Sequence, residues 1–149
     1  MQWIWSSFEQ LKPQQLYDLL KLRQDVFIIE QQCFYSDLDG LDQNCLHLMG
    51  YEGDDLFAYL RLIPAAHHHS GNIALGRILT SEKARGQGMG KQLMTEAMNY
   101  LHNNYQGSTV QMSAQRYLQA FYEGFGFRTV GYPYDEDGIA HIEMVLDEA

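Results

Sequence analysis

Residues 85–91 read RGQGMGK, three glycines alternating with other residues between an arginine and a lysine. Glycines at that spacing let backbone amides approach a partner without a Cβ in the way. The stretch before them, IALGRILT at 73–80, has the make-up of a strand. The stretch after them sets Leu93, Met94, Ala97, Met98 and Leu101 at helical spacing. A glycine-rich turn between strand and helix offers an anion both free N–H groups and the positive end of a helix.

Three phosphate-binding patterns can be laid over this loop. The dinucleotide pattern G-x-G-x-x-G accepts Gly86 and Gly88 but meets Lys91 where its third glycine belongs. A P-loop ending at Gly90-Lys91 needs glycine at position 85 and Ser or Thr at 92; the chain has Arg85 and Gln92. Arg-x-x-Gly-x-Gly is met by Arg85, Gly88 and Gly90 without departure. The alternative is a turn that only starts a helix. Glycine costs about 1 kcal/mol relative to alanine inside a helix, so three in five residues are an expensive way to turn. Anion binding is the better reading.

Outward from the loop, the chain alternates strands and helices. MQWIWSSF at the start suits a short strand. Pro13 opens a helical pattern through Leu16, Leu19, Leu20, Val26 and Phe27, with a break expected near Phe27. CLHLMGYEGDDLFAYLRLIP reads as two strands about a turn at EGDD. His67, His68 and His69 are consecutive and share no face, which favours an inter-strand turn over a metal tract. After the second helix, STVQMSAQ is a strand. Leu118, Phe121, Tyr122 and Phe125 then form a short helix expected to end near Gly126, and the tail reads strand, acidic turn, strand. The order predicts one α/β (α+β) domain over 1–149, a mixed sheet with helices on both faces.

Composition narrows the partners. The 149 residues carry ten basic and nineteen acidic side chains, a net charge of −9, which argues against a nucleic-acid surface. No apolar run reaches the roughly 18 residues a membrane span needs, and the N-terminus lacks the pattern of an export signal. Cys33 and Cys45 form no C-x-x-C pair and read as free thiols of a cytoplasmic protein. The aspartates Asp37, Asp39 and Asp42 miss the calcium-loop pattern: Leu41 stands fifth from Asp37, Asp42 sixth and Leu48 twelfth. That segment reads as a solvated or substrate-facing connection.

The strand IALGRILT, the loop RGQGMG and the later FYEGFGF together resemble the Gcn5-related N-acetyltransferases, over nearly the whole chain. More narrowly, LRQDVFIIEQ, DLDGLD, IALGRI, SAQRYLQAFYEGFGF and YDEDGIAHIEM look like the small bacterial ElaA-type acetyltransferases. The resemblance implies the acyl-CoA N-acyltransferase fold, a mostly antiparallel sheet with a splayed central strand pair. It implies that Arg85, Gly86, Gln87, Gly88, Met89 and Gly90, extended by Lys91, hold the pyrophosphate of acetyl-CoA. Main-chain groups of Ile78, Leu79 and Thr80 would meet the pantetheine arm, and the cleft beside the TVQMSAQ strand would hold the thioester. Tyr122, four residues before Gly126-Phe127, would be the general acid.

Acetyl transfer to an amine needs a neutral nucleophile, an oxyanion held by fixed N–H dipoles such as that of Leu79, and a proton for the thiolate. By spacing alone Tyr122 is as much a core tyrosine as an acid. His141 and Glu143 alternate on the last strand and so face one side together. They are candidates for the amine-side base, beside the plainer reading of a half-buried histidine and a solvated carboxylate. Glu30 and the Asp37–Asp42 loop are weaker candidates, and a water relay is equally admissible. The acceptor is a small or peptide amine, which the acidic balance suits. A transferase for a longer acyl group and a non-catalytic acyl-CoA sensor remain the rivals. A homodimer is a common state for such enzymes.

Overall fold

The computed structural model of the protein describes residues 1–149. Seven strands form one sheet: β1 (Gln2–Ser7), β2 (Leu46–Glu52), β3 (Asp55–Ile63), β4 (Ile73–Thr80), β5 (Val110–Gln115), β6 (Arg128–Glu136) and β7 (Ile139–Leu146). Their spatial order is β1-β2-β3-β4-β5-β7-β6. Only β4 and β5 run parallel; every other neighbouring pair is antiparallel. Three α-helices, α1 (Pro13–Arg23), α2 (Met89–Asn104) and α3 (Gln119–Glu123), complete the fold. This is the mixed sheet that the element order predicts, mostly antiparallel as the family resemblance implies.

Period-two alternation sorts the strand residues into two faces. One face, with Leu48, Ala58, Leu60, Leu62, Leu75, Met112 and Met144, packs against Leu93, Met94, Ala97 and Leu101 of α2 in the larger core. Tyr122 of α3 lies on this face too. The other face carries Met49, Tyr59 and Leu79 under Leu19 and Leu22 of α1. Helices therefore cover both faces.

Local structure departs from the sequence reading in two places. The first helix does not break near Phe27. It passes directly into a π-helical segment, Gln24–Glu30, which keeps Val26 buried and carries Glu30 to the loop after β4. The third helix ends at Glu123 with Gly124 as its cap, two residues before Gly126. Gly126 instead takes φ +98 in the following turn, where a β-carbon would stand 3.2 Å from Leu146.

The aspartate-rich segment between α1 and β2 corrects the expectation of a solvated connection. Arg23 is fully buried at the end of α1. It donates from Nε to Asp37 Oδ2 at 2.9 Å and from Nη1 to Asp42 Oδ1 at 2.8 Å. Arg61 of β3 bonds Asp39 through both terminal nitrogens and shares Asp42 Oδ1 at 3.0 Å. Arg77 of β4 donates from Nε to Asp37 Oδ1 at 2.8 Å and from Nη2 to the Asp37 carbonyl at 3.0 Å. Buried charges persist only when paired and hydrogen-bonded, and here three arginines meet three aspartates. His47 is also buried, between the Tyr59 hydroxyl at 2.6 Å and the Asp42 carbonyl at 2.9 Å.

Removing one partner of such a network leaves an uncompensated buried charge, at a cost of about 3–5 kcal/mol. Arg23→Ala is expected to lower the urea-unfolding free energy by about that amount. A loss under about 1 kcal/mol, the range of exposed ion pairs, would show that the network is not structural.

Candidate functional site

The parallel strands β4 and β5 are hydrogen-bonded only at Ile73↔Val110 and Ala74↔Gln111. Beyond those two pairs they diverge, so the edge of β4 facing β5 has no ladder partner from Leu75 to Thr80. The cause lies on the other side of β4. Its register with β3 shifts between Tyr59 and Arg61, inserting one extra residue, and Arg77 stands there at φ +49. A bulge bends its strand, and this one turns β4 away from β5. A left-handed conformation costs a non-glycine residue about 1–2 kcal/mol; the bonds from Arg77 to Asp37 hold it in place.

The divergence opens toward the RGQGMGK loop. Gly86 and Gly88 have φ +79 and +73, and a β-carbon on either would meet nothing within 4 Å. Gly88 is the N-cap of α2, so the amides of Met89, Gly90 and Lys91 lack intrahelical partners. Buried Met89 and Ala84 anchor the loop from beneath. Gly90 lies where a β-carbon would stand 3.8 Å from Phe121 of α3. The open cradle, its free amides and the helix dipole suit a pyrophosphate.

Arg85 is held by Glu30 in a two-pronged ion pair and also donates from Nη2 to the Thr80 carbonyl at 3.2 Å. The pair draws the Glu30 carboxyl below its usual range, chiefly through the hydrogen bond from Arg85. Glu30 is therefore a partner of the loop rather than a free base, as the aspartates of 37–42 are partners of arginines.

Tyr122 is buried in the core on the α2 side of the sheet, edge-on to Phe121 and Phe127. Its hydroxyl enters none of the side-chain hydrogen bonds, and only Arg61 Nε and Ser81 Oγ are wholly enclosed without a partner. Burial, more than any charge, raises the Tyr122 pKa, so the hydroxyl is protonated and can donate at neutral pH.

His141 and Glu143 share one face of β7, as their spacing predicts. It is the face opposite Tyr122, whose neighbours Ile142 and Met144 alternate with them. His141 has both ring nitrogens engaged, Nδ1 at 2.7 Å from the Ile139 carbonyl and Nε2 at 3.2 Å from Glu136. Glu143 accepts a hydrogen bond from Gln111 Nε2 through Oε1. Beside it, Ser113 Oγ bonds the Tyr134 hydroxyl. Neither Ser113 nor Tyr134 is visible as a site residue in the sequence; only the alternation of β5 opposite β7 could have pointed to Ser113.

The remaining candidates have local roles. His67–His69 fall in the connection between β3 and β4, the first of them closing a 3-10 turn, and the rings of His68 and His69 lie 4.2 Å apart. Cys33 and Cys45 are free and buried; burial pushes the Cys45 thiol up to about 11, which keeps it protonated and unreactive. No helix is long and apolar enough to cross a membrane.

A sheet split beside a glycine loop, with a helix N-terminus at its mouth, is the arrangement that the resemblance to the N-acetyltransferases implies. Comparison of sequences carries this to a family: the acetyltransferase (GNAT) domain matches residues 9–148, and the chain belongs to that family. Protein ElaA of Escherichia coli is 38% identical over 149 residues, covering 99% of this chain and 97% of its own. A UPF0039 protein of Synechocystis is 40% identical over 97% of this chain and 94% of its own. The crystal structure of an acyl-CoA N-acyltransferase from Pseudomonas aeruginosa superposes with a TM-score of 0.91 at 39% identity, covering 97% and 99% of the two chains.

The charge network gives this site an acid limit. Burial would raise the Asp39 carboxyl, but the bonds from Arg61 and Leu41 and the charge of Arg77 outweigh it and hold Asp39 at about 2, against an ordinary 3.8. The folded value is depressed, so this stabilisation is complete well above pH 3.8 and is lost as pH falls toward 2. Urea midpoints measured across that window should fall with pH, and fall less steeply in Asp39→Asn. An equal slope in the variant would remove Asp39 from the cause.

Proposed function

We propose that this protein transfers the acetyl group of acetyl-CoA to a primary amine by direct attack on the thioester, with Tyr122 as the acid that serves the departing thiolate. The observation that carries this reading is the β4–β5 divergence with the glycine loop at its mouth and an unpaired strand edge along one wall; Tyr122 lies in the core on the α2 side of the same sheet, next to Phe121, which stands against Gly90 of the loop. Residues Arg85–Lys91 grip the pyrophosphate through backbone amides. Main-chain groups of Ile78, Leu79 and Thr80 meet the pantetheine arm, and a strand amide such as that of Leu79 holds the oxyanion.

The two faces of the sheet divide the chemistry. The amine nitrogen approaches from the polar face and forms the new C–N bond. The C–S bond breaks toward the apolar face, where the Tyr122 hydroxyl hydrogen-bonds the sulfur and supplies its proton. The proton lost by the amine leaves on the opposite side, so the tyrosine is restored from solvent after each turnover. Substrate positioning and exclusion of water supply the rest of the acceleration.

Tyr122→Phe keeps the packing and deletes the hydroxyl. It should lower kcat by about a hundredfold or more while the acetyl-CoA dissociation constant changes less than about twofold. An unchanged kcat would end the general-acid assignment. Gly88→Val should have the converse effect, because φ +73 strains a β-branched residue and the loop must shift. Calorimetry should show coenzyme A binding weakened by about tenfold or more; unaltered binding would show that the pyrophosphate lies elsewhere.

A further inference from the structure

The amine side of the divergence is built from different residues than the coenzyme side, and their charges select what can enter. β5 and β7 present Gln111, Ser113, Gln115, His141 and Glu143 to this face. Counting on from the pair Ala74↔Gln111 sets Gly76 of β4 across the gap from Ser113. Gly76 pairs with Arg61 on its other side, which places it on the same polar face. Its φ is unexceptional, yet a β-carbon there would meet nothing within 4 Å. This glycine is not needed for a turn; it keeps space open in front of the gap.

The charges bordering that space are nearly all committed. Arg23, Arg61 and Arg77 are paired with Asp37, Asp39 and Asp42. Glu136 pairs with His141. Glu143 is different: Gln111 Nε2 fixes its Oε1, and Gln111 Oε1 in turn accepts from Asn72 Nδ2 at 3.5 Å. Oε2 has no partner within the chain. The carboxylate is thus oriented by one oxygen and presents the other, beside the hydrogen-bonded Ser113 and Tyr134 hydroxyls. The one arginine without a carboxylate partner, Arg116, lies past the end of β5 in a 3-10 turn.

The segment after α1 roofs this space. Gln31 accepts from Gln115 Nε2 at 3.3 Å, and the Cys33 thiol lies 3.3 Å from the Asp137 carbonyl at the β6–β7 turn. At its far end Asp37 is tied to Arg77. The strap from Gln31 to Asp37 is therefore fastened on both sides of the divergence.

We propose that Glu143 holds the ammonium of the acceptor, that Gly76 and the Ser113–Tyr134 pair shape the space around it, and that the acceptor is a primary alkylamine with no carboxylate beside its nitrogen. The proposal rests on the acyl-transfer reading above. An ammonium donates to the free oxygen of Glu143 and passes it the proton that must leave before attack; the proton then goes to water. A carboxylate on the adjacent carbon would face Glu143 with no uncommitted arginine or lysine to receive it; His68, the titratable base near enough to feel Glu143, is pushed toward its neutral form by burial.

The test compares 1-aminopentane with norleucine, which differs from it only by the carboxylate, with kcat/KM taken per free amine. Coenzyme A thiol release is followed for the wild type, Glu143→Gln, Gly76→Leu and the smaller Gly76→Ala. The wild type should favour the alkylamine by roughly tenfold or more, and Glu143→Gln should raise the acceptor KM roughly ten- to hundredfold, with the acetyl-CoA KM unmoved. A purely structural Glu143 would change the Tm or the coenzyme KM instead. Filling the space should raise the acceptor KM more for Gly76→Leu than for Gly76→Ala. An unmoved acceptor KM in Glu143→Gln, or a preference for norleucine, would overturn the proposal alone. A wild type that binds acetyl-CoA but releases no thiol with any of a panel of alkylamines would overturn the acyl-transfer reading and this proposal together.

Discussion

The structure depends on hydrogen bonds that are not made. β4 and β5 share two ladder pairs and then part, and the cleft is the space they leave. A sheet does not give up pairing without a constraint, since each unpaired backbone group must find another partner. Here the constraint is the bulge at Arg77, whose left-handed backbone bends β4. What keeps Arg77 there is Asp37, and Asp37 is fixed by Arg23 at the end of α1. A chain of charge-assisted bonds thus runs from a helix terminus to the edge of the cleft. The network lies outside the cleft and still decides its shape.

The two sides of the sheet differ in character because alternation sorts their residues. The side under α2 and α3 is apolar and closely packed, which suits a thiol leaving group and a tyrosine that stays protonated. The opposite side carries carboxylates, amides and hydroxyls, which suit an ammonium. The divergence is the passage between the two environments. If the strands closed, each face would keep its character and only the passage between them would be lost.

Much of the architecture is legible in the residues because it is local. Hydrophobic spacing marks α2, alternation marks β7, and the glycines of 85–91 announce a turn whose φ values are positive at Gly86 and Gly88. What escapes the sequence is made by contacts far apart in the chain. Asp37, Asp39 and Asp42 look solvated in a row; their partners are 14, 22 and 19 residues or more away, and only the fold brings them together. IALGRILT reads as an unbroken strand because nothing in its composition reveals the conformation of Arg77. His141 and Glu143 are rightly placed on one face by alternation, but that rule is silent on their neighbours. The difference between them, both nitrogens engaged in one and a free oxygen in the other, comes from the β6–β7 hairpin and from Gln111.

An open sheet also has to end somewhere. β6 forms one border and is exposed along almost its whole length, with Tyr132 among the most uncovered aromatic residues of the chain. Its pairing with β7 is interrupted between Val130 and Tyr134, where Gly131 takes φ +73. Charges stand at both ends, Arg128 bonded to Asp147 and the Asp135–Glu136 pair near the tip. A neighbouring strand arriving at this border meets an irregular row of donors and acceptors flanked by fixed charge, a poor template for extending the ladder. The same hairpin that positions His141 therefore also makes this border a poor place to extend the sheet.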